Sequence, residues 1–214
     1  MKCYYNIKYP YLHYSYEDTD GGYIMFSVPP SMLAEKYKEH FNHEPKTFFD
    51  CGAATGMIIR LALDYGMDAH GIDVRKYPEQ YQSIVYTLNN KPYIIPVYKL
   101  RASFDSNRIE IKSILDCEPI KADIAYCNGV LTYFDEKTLP TVLSKFQKVG
   151  MLCAIHNTTE DVSVAKEMGE ILGTCNKPRT IKPNNWWIDT FNNNGFNVEL
   201  DENLRTFIAI PRQR

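Results

Sequence analysis

The stretch TFFDCGAATG at residues 47–56 decides the fold. Its apolar first half predicts a buried strand that ends in an acid, Asp50. Gly52 permits a sharp turn, and Gly56 lets the backbone approach a ligand at the start of a helix that the pattern predicts over 55–65. A strand, a glycine turn and a helix in this order place a ligand at the N-terminus of the helix.

A second acid follows the glycine turn at a spacing that is typical of nucleotide-binding units. Seventeen residues after Gly56, a short apolar strand predicted over 69–73 ends in Asp73. That interval is close to the roughly 20 residues after which a carboxylate receives ribose hydroxyls in nucleotide-binding βαβ units. Two acids at the ends of two strands predict a nucleotide-type pocket.

Strand and helix patterns alternate along the rest of the chain. Further strands are predicted over 108–114, 122–127, 150–156, 196–200 and 206–210, and further helices over 77–89, 135–148, 161–172 and 184–194. This alternation predicts an α/β fold with a mostly parallel sheet of seven strands covered on both faces. The last two strands are too close for a crossover helix, so they are predicted to form an antiparallel hairpin.

Length and composition predict one main domain. The 214 residues, 44% of them hydrophobic, suffice for one sizeable core. We assign residues 45–214 to this domain and residues 1–44 to an N-terminal extension. The extension is rich in tyrosine and lacks a clean helix or strand period until a helix that Ser31 would cap and that would end near Asn42. We hypothesise that its tyrosine-rich part folds over the pocket as a lid.

Residue usage favours a cytoplasmic protein without a metal site. The six cysteines never form Cys-x-x-Cys, which indicates reduced thiols that pack as small apolar groups. The sequence shows neither the short apolar run of a signal peptide nor the roughly 20 apolar residues of a membrane span. The pair His40-x-x-His43 has helical spacing for a metal but lacks a third ligand nearby.

The two acidic strand ends carry a family resemblance. Residues 50–56 followed by Gly71-Ile72-Asp73 resemble the first two motifs of class I S-adenosylmethionine-dependent methyltransferases, and the closing hairpin is similar to the one that ends their sheet. The resemblance implies a three-layer Rossmann-like sandwich that binds S-adenosyl-L-methionine and releases S-adenosyl-L-homocysteine. Ala54 stands where the dinucleotide fingerprint has a glycine that makes room for a pyrophosphate, which argues against NAD.

The resemblance also implies which residues bind the cofactor. Asp50 would receive the amino group, Asp73 the ribose hydroxyls, and Val74 would form an apolar wall for adenine. Ser113 with the backbone of Ile114 fits the third motif, although Asp116 suits a later register. Asn128 follows the strand of the fourth motif. The complete predicted cofactor set is Asp50, Gly52, Ala53, Ala54, Thr55, Gly56, Asp73, Val74, Ser113, Ile114 and Asn128.

The acceptor side is less determined by the sequence. An activated sulfonium needs mainly a well-placed acceptor atom, and a base helps when that atom is a hydroxyl oxygen or a protonated amine. His156, after the strand predicted over 150–156, is the histidine placed to serve as that base, and its alternative is a hydrogen-bonded strand-end residue. Tyr133 and Trp186 could line an aromatic acceptor pocket or belong to the core.

The fourth motif favours a small-molecule acceptor. Residues 128–131, Asn-Gly-Val-Leu, have neither the Asn/Asp-Pro-Pro-aromatic sequence of base-amine methyltransferases nor the Pro-Cys of cytosine-C5 enzymes. A net charge of −2 gives no long-range attraction to nucleic acid, although Lys91, Lys99, Arg101 and Arg108 could form a local basic patch. A nucleic-acid or protein methyltransferase, an NAD-dependent oxidoreductase and a non-catalytic S-adenosylmethionine sensor remain alternatives.

Overall fold

The computed structural model describes residues 12–18, 21–54, 56–74, 84–88, 91–95, 106–155, 158–159 and 180–212. Within them, the segments 12–18, 21–27, 84–88 and 91–95 are described by their backbone.

The described part contains eleven strands and four α-helices. The strands are β1 Leu12–Asp18, β2 Gly21–Ser27, β3 Thr47–Cys51, β4 Asp68–Asp73, β5 Ile84–Leu88, β6 Lys91–Ile95, β7 Ile109–Ile111, β8 Ile124–Asn128, β9 Met151–Ile155, β10 Phe196–Asp201 and β11 Thr206–Pro211. The helices are α1 Pro30–Phe41, α2 Met57–Tyr65, α3 Leu139–Ser144 and α4 Asn184–Asn193.

Seven strands form the central sheet in the order β10-β11-β9-β8-β3-β4-β7. Strand β11 runs antiparallel to both neighbours, whereas the pairs from β9 to β7 are all parallel. The predicted seven-stranded sheet with its C-terminal antiparallel hairpin is confirmed. The chain runs outward from β3 through β4 to β7 and then resumes at β8 on the other side of β3. This reversal opens a crevice at the carboxyl ends of β3 and β8, where ligands of open α/β sheets bind.

Helices cover both faces of the sheet. Helices α1 and α2 bury Leu33, Tyr37 and Ile59 on one face, and α3 and α4 bury Val142 and Trp187 on the other. The central strands are buried on both sides, which explains why β9 is a continuous apolar run rather than an alternating one.

The cysteines pack as apolar side chains where the structure describes them. The thiols of Cys51, Cys117, Cys127 and Cys153 are free and buried. Burial raises the pKa of the Cys153 thiol because no charge compensates the loss of water around a thiolate.

The helix predicted over 77–89 is wrong in its second half. Residues 84–88 form strand β5, which pairs with β6 in an antiparallel hairpin. The sequence Ile-Val-Tyr-Thr-Leu is rich in β-branched and aromatic residues, which favour a strand. The helix predicted over 161–172 lies outside the described residues.

The N-terminal extension contains more regular structure than its pattern indicates. Strands β1 and β2 pair antiparallel, with Tyr16 opposite Tyr23. Helix α1 follows at Pro30, whose fixed φ suits a first helical position, and Ser31 lies inside the helix rather than capping it.

Two other elements are shorter than predicted. Strand β7 ends at Ile111 because a 3-10 turn begins at Ile114, where the Ser113 hydroxyl accepts a hydrogen bond from the Leu115 backbone. Helix α3 covers only residues 139–144 of the helix predicted over 135–148.

Candidate cofactor and acceptor site

The glycine loop after β3 is held against the end of β4 by its own backbone. The N–H groups of Gly52 and Ala53 both donate to the carbonyl of Ile72, each at 2.9 Å. The next N–H, that of Ala54, donates to Oδ2 of Asp73 at 2.8 Å. Three successive amides therefore fix the loop to the second strand of the predicted site.

Gly52 is required by both its backbone and its surroundings. Its φ is +86°, in the left-handed region that favours glycine. A Cβ at this position would lie 2.3 Å from Cγ2 of Val130, so the loop packs directly on the segment that follows β8. Gly56, also at positive φ, begins the turn into α2 as predicted.

Ala54 adopts a conformation that is unusual for alanine. Its φ is +47°, and its side chain is buried. The left-handed region costs an alanine roughly 1 kcal/mol or more. The hydrogen bond to Asp73 holds it there, so the loop carries local strain at the predicted cofactor site.

The two predicted acids, Asp50 and Asp73, are both buried. Asp50 is 3% exposed and Asp73 is 7% exposed. Burial, followed by the nearby negative charge of Asp73, raises the pKa of Asp50 to about 8. A ligand that brings a positive charge or a hydrogen-bond donor next to Asp50 would lower this pKa and favour the carboxylate.

Exposed apolar side chains surround the end of β4. Val74, directly after Asp73, is 67% exposed, and Ile111 and Leu115 are exposed on the neighbouring segment. Ile111 pairs in register with Asp73, and the Lys112 N–H donates to the Asp73 carbonyl at 2.9 Å. The segment of the third-motif prediction thus lies beside the end of β4, and its neighbours Ile111 and Leu115 add to the exposed apolar surface at Val74. Their signal was available in the sequence as two large apolar residues flanking a strand end.

Ser113 and Ile114 make different local contacts. The Ser113 hydroxyl accepts a 3.2 Å hydrogen bond from the Leu115 N–H, and the Ile114 side chain is buried in the core. Both lie on the segment next to Asp73, and Asp116 lies one turn further along it.

Asn128 ends β8 at the crevice between β8 and β3. The following Gly129 donates its N–H to the carbonyl of Ile155 at 2.8 Å, which ties the loop to the end of β9. The Thr132 hydroxyl then donates to the Gly129 carbonyl at 2.8 Å. These bonds set the path from Asn128 to Tyr133, whose side chain is 43% exposed.

Trp186 lies in a more crowded setting than Tyr133. The Nζ of Lys182 lies 5.3 Å from the centre of its ring, and Trp187 packs edge-on against it. Lys182 also pairs with Glu136 at 2.7 Å. The Trp186 ring is partly buried against the core, so Tyr133 is the more accessible of the two predicted acceptor-side aromatics.

Two predicted site residues, Thr55 and His156, lie outside the described residues, as do Lys99 and Arg101 of the basic connection. Arg108 of that connection lies at the amino end of β4, opposite the end that carries Asp73. It donates to Oδ1 of Asp68 at 2.6 Å and to the Ala69 carbonyl at 3.0 Å. Its charge is therefore neutralised away from the predicted cofactor site, and it does not contribute to a basic patch there.

The two histidines of the His40-x-x-His43 pair, which were weighed as metal ligands, also have local partners. His40 contacts Glu199 at 3.5 Å, and Nδ1 of His43 contacts the Glu44 carbonyl at 3.2 Å. Over the residues that the structure describes, no group of three potential metal ligands occurs. Nor does the described part contain a helix long and apolar enough to cross a membrane.

Solved structures share this architecture. The plantazolicin methyltransferase BpumL, in complex with a desmethylPZN analogue and SAH, superposes with a TM-score of 0.60 at 8% identity over 85% of this chain and 82% of its own. The Burkholderia thailandensis 1,6-didemethyltoxoflavin-N1-methyltransferase gives a TM-score of 0.54 at 10% identity over 94% and 99% of the two chains. The chain has the Rossmann-like methyltransferase fold.

This fold is also found in larger methyltransferases. The mitomycin 7-O-methyltransferase MmcR matches with a TM-score of 0.52 at 16% identity over 86% of this chain and 55% of its own. No family model and no curated protein sequence matches the chain. The Rossmann-like methyltransferase fold is thus established by structure, and the roles of individual residues depend on the site itself.

Proposed function

We propose that the chain is an S-adenosyl-L-methionine-dependent methyltransferase that transfers a methyl group to an O or N atom of a small molecule. One observation carries the proposal: the loop of residues 52–56 is fastened by the Ala54 amide to the carboxylate of Asp73, beside the buried acid Asp50. These three features meet where the strand order reverses, in a fold shared with methyltransferases.

The residues present fit S-adenosylmethionine better than a dinucleotide. A pyrophosphate needs free backbone amides and close approach to the glycine loop. Here three loop amides donate to Ile72 and Asp73, and the position of closest approach carries the Cβ of Ala54. S-adenosylmethionine instead carries a sulfonium and an ammonium group, which suit the acid Asp50, and an adenine that suits the exposed apolar surface of Val74, Ile111 and Leu115.

Each part of the site would then have a defined task. When bound, the cofactor supplies a methyl group already activated by its positively charged sulfur. Asp73 would hold the ribose, Asp50 the amino group, and Asn128 the methionine portion at the crevice beside β8. Tyr133, on the loop after Asn128, would orient an acceptor toward the reacting methyl; its exposed side chain supports this role. Orientation of this kind can supply much of the rate enhancement of a direct displacement.

His156 is proposed as the base when the acceptor atom is a hydroxyl oxygen. It follows Ile155, the last residue of β9, whose carbonyl accepts the hydrogen bond from Gly129 in the loop of the acceptor side. A His156→Gln variant should then lose the rise of kcat with pH that a titrating imidazole produces, while the affinity for S-adenosylmethionine stays unchanged.

A small-molecule acceptor is supported over nucleic acid by charge and by motif. The net charge is −2, and Arg108 is paired with Asp68 away from the site. Several proteins of this fold carry names of small-molecule or natural-product methyltransferases, such as those for mitomycin and didemethyltoxoflavin.

An acceptor screen tests the proposal. Purified protein would be incubated with S-adenosylmethionine and pools of small hydroxylated and aminated compounds, peptides, RNA and DNA, with mass spectrometry of the products. We expect a product 14 Da heavier from the small-molecule pools, with equimolar S-adenosylhomocysteine and none of either with Asp73→Ala. Methylation confined to RNA, DNA or peptide would overturn the acceptor class, and cofactor binding without any product would favour the sensor alternative.

A further inference from the structure

Thr180 brackets Tyr133 with two hydrogen bonds. Its backbone N–H donates to the carbonyl of Thr132 at 3.0 Å, and its hydroxyl donates to the carbonyl of Phe134 at 2.7 Å. Thr180 is 2% exposed, so water is poorly placed to replace either bond. The backbone on both sides of Tyr133 is thus fixed by one buried residue that lies far away in sequence.

The bracketed loop lies directly against the predicted cofactor loop. A Cβ at Gly52 would lie 2.3 Å from Cγ2 of Val130, which precedes Tyr133 by three residues. Within the loop, Thr132 is buried and its hydroxyl donates to the Gly129 carbonyl at 2.8 Å. Tyr133 is therefore carried on a loop that packs on the cofactor side and is held by buried threonine hydroxyls.

The segment of residues 180–182 also contacts the chain after β9. The Thr159 N–H donates to the carbonyl of Lys182 at 3.2 Å. Thr159 follows the proposed base, His156, by three residues. This one segment is thus bonded to both stretches that carry the proposed acceptor-side residues.

We propose that Thr180 is a positioning residue for the methyl acceptor: its hydroxyl holds Tyr133 in place and thereby sets the affinity for the acceptor and not for the cofactor. The inference rests on the proposed function and adds a residue to its acceptor side. Thr180 is buried and makes its bonds to backbone carbonyls, so it acts through Tyr133. Loss of the hydroxyl leaves the Phe134 carbonyl without this donor and lets the loop move.

Steady-state kinetics of Thr180→Val, with the acceptor that the screen identifies, test this role. Valine keeps the shape of threonine and lacks the hydroxyl. We expect the KM for the acceptor to rise roughly threefold to tenfold, as loss of one hydrogen bond does, while the KM for S-adenosylmethionine changes less than about twofold. A merely less stable enzyme would lower kcat through its folded fraction and leave both KM values unchanged. Thr180→Ser, which keeps the hydroxyl, should restore the acceptor KM.

Thr206→Val is the matched control. Thr206 is also buried, and its hydroxyl donates to the carbonyl of Leu204 at 2.8 Å, at the turn between β10 and β11. Its replacement should lower the melting temperature and leave both KM values unchanged. An equal rise of the acceptor KM in Thr206→Val, or an unchanged acceptor KM in Thr180→Val, would overturn the positioning role.

Hydrogen exchange and calorimetry separate this inference from the proposed function, because neither requires turnover. The amides of Tyr133 and Phe134 donate to the carbonyls of Val130 and Leu131. In Thr180→Val they should exchange faster than in the wild type, while S-adenosylhomocysteine binds with unchanged affinity. Wild-type exchange rates in this variant would overturn the positioning role and leave the methyltransferase proposal intact. A wild-type protein that binds S-adenosylhomocysteine but methylates no acceptor would overturn the proposed function, and with it the acceptor role of Thr180.

Discussion

The backbone N–H of Ala54 donates a 2.8 Å hydrogen bond to Oδ2 of Asp73, nineteen residues further along the chain. This bond joins the glycine loop after β3 to the acid at the end of β4, so the two motifs form one unit. It also holds Ala54 at a φ of +47°, where glycine is the usual residue. The site thus carries local backbone strain at Ala54.

Replacing Ala54 with glycine tests that strain. Glycine removes the left-handed penalty but raises the entropy of the unfolded chain, so we expect a net gain of about 0.5–1 kcal/mol in the free energy of unfolding. Ala53→Gly is the matched control, because Ala53 has no positive φ and its replacement should destabilise the protein. Urea unfolding of both variants measures the difference. Equal destabilisation by the two substitutions would show that Ala54 is not strained.

Gly52→Ala should be far more damaging than another glycine substitution at positive φ. The new Cβ would meet Cγ2 of Val130 at 2.3 Å, besides the cost of its φ of +86°. Gly66→Ala provides the comparison, since Gly66 has a φ of +101° and nothing within 4 Å of a Cβ. We expect about 1 kcal/mol of destabilisation for Gly66→Ala and at least about 2–3 kcal/mol for Gly52→Ala. Similar melting temperatures for the two variants would contradict the close packing of the loop on Val130.

The raised pKa of Asp50 predicts a pH dependence of stability. The pKa lies at about 8 in the folded protein and near 3.8 when the carboxyl group is solvated. Between these values the folded state binds more protons than the unfolded state, so the free energy of unfolding falls as the pH rises from about 4 to 8. The slope contributed by this group approaches about 1.4 kcal/mol per pH unit in the middle of that window.

Asp50→Asn should remove this contribution. Chemical denaturation at a series of pH values from 4 to 9 would show a shallower decline for the variant than for the wild type, with the largest gain in stability above pH 8. In Asp73→Asn, the pKa of Asp50 should fall, because the charge of Asp73 is one of the two causes of its elevation. Parallel pH profiles for wild type and Asp50→Asn would show that Asp50 ionises normally.

The sequence predicted the sheet because its evidence is local. A glycine turn after an apolar strand, alternation of strands and helices, and a short final connection each depend on neighbouring residues. The hairpin of β5 and β6 escaped prediction because Ile84-Val85-Tyr86-Thr87-Leu88 is a short apolar run whose period does not separate helix from strand. In β2 the apolar Ile24 and Phe26 alternate with Tyr23 and Met25, so both faces carry large apolar residues, which obscured the alternation.

The electrostatics and strain of the site could not be predicted from sequence in the same way. The raised pKa of Asp50 depends on its burial and on the approach of Asp73, and the conformation of Ala54 depends on a hydrogen bond across two strands. Likewise, the pairing of Arg108 with Asp68 depends on the neighbouring positions of β4 and β7. Arg108 therefore lies at the amino end of β4 and not in the basic patch that the sequence suggested.

The most direct test of the account is a calorimetric titration of the wild-type protein with S-adenosylmethionine, S-adenosylhomocysteine and NAD, repeated with Asp73→Ala and Asp68→Ala. Asp68 lies at the other end of β4 and is exposed, so its variant controls for loss of an acid on the same strand. We predict that both sulfur nucleosides bind and NAD does not, that Asp73→Ala weakens their binding roughly a hundredfold or more, and that Asp68→Ala leaves it unchanged. Binding of NAD alone, or wild-type affinity for S-adenosylmethionine in Asp73→Ala, would contradict the proposed site.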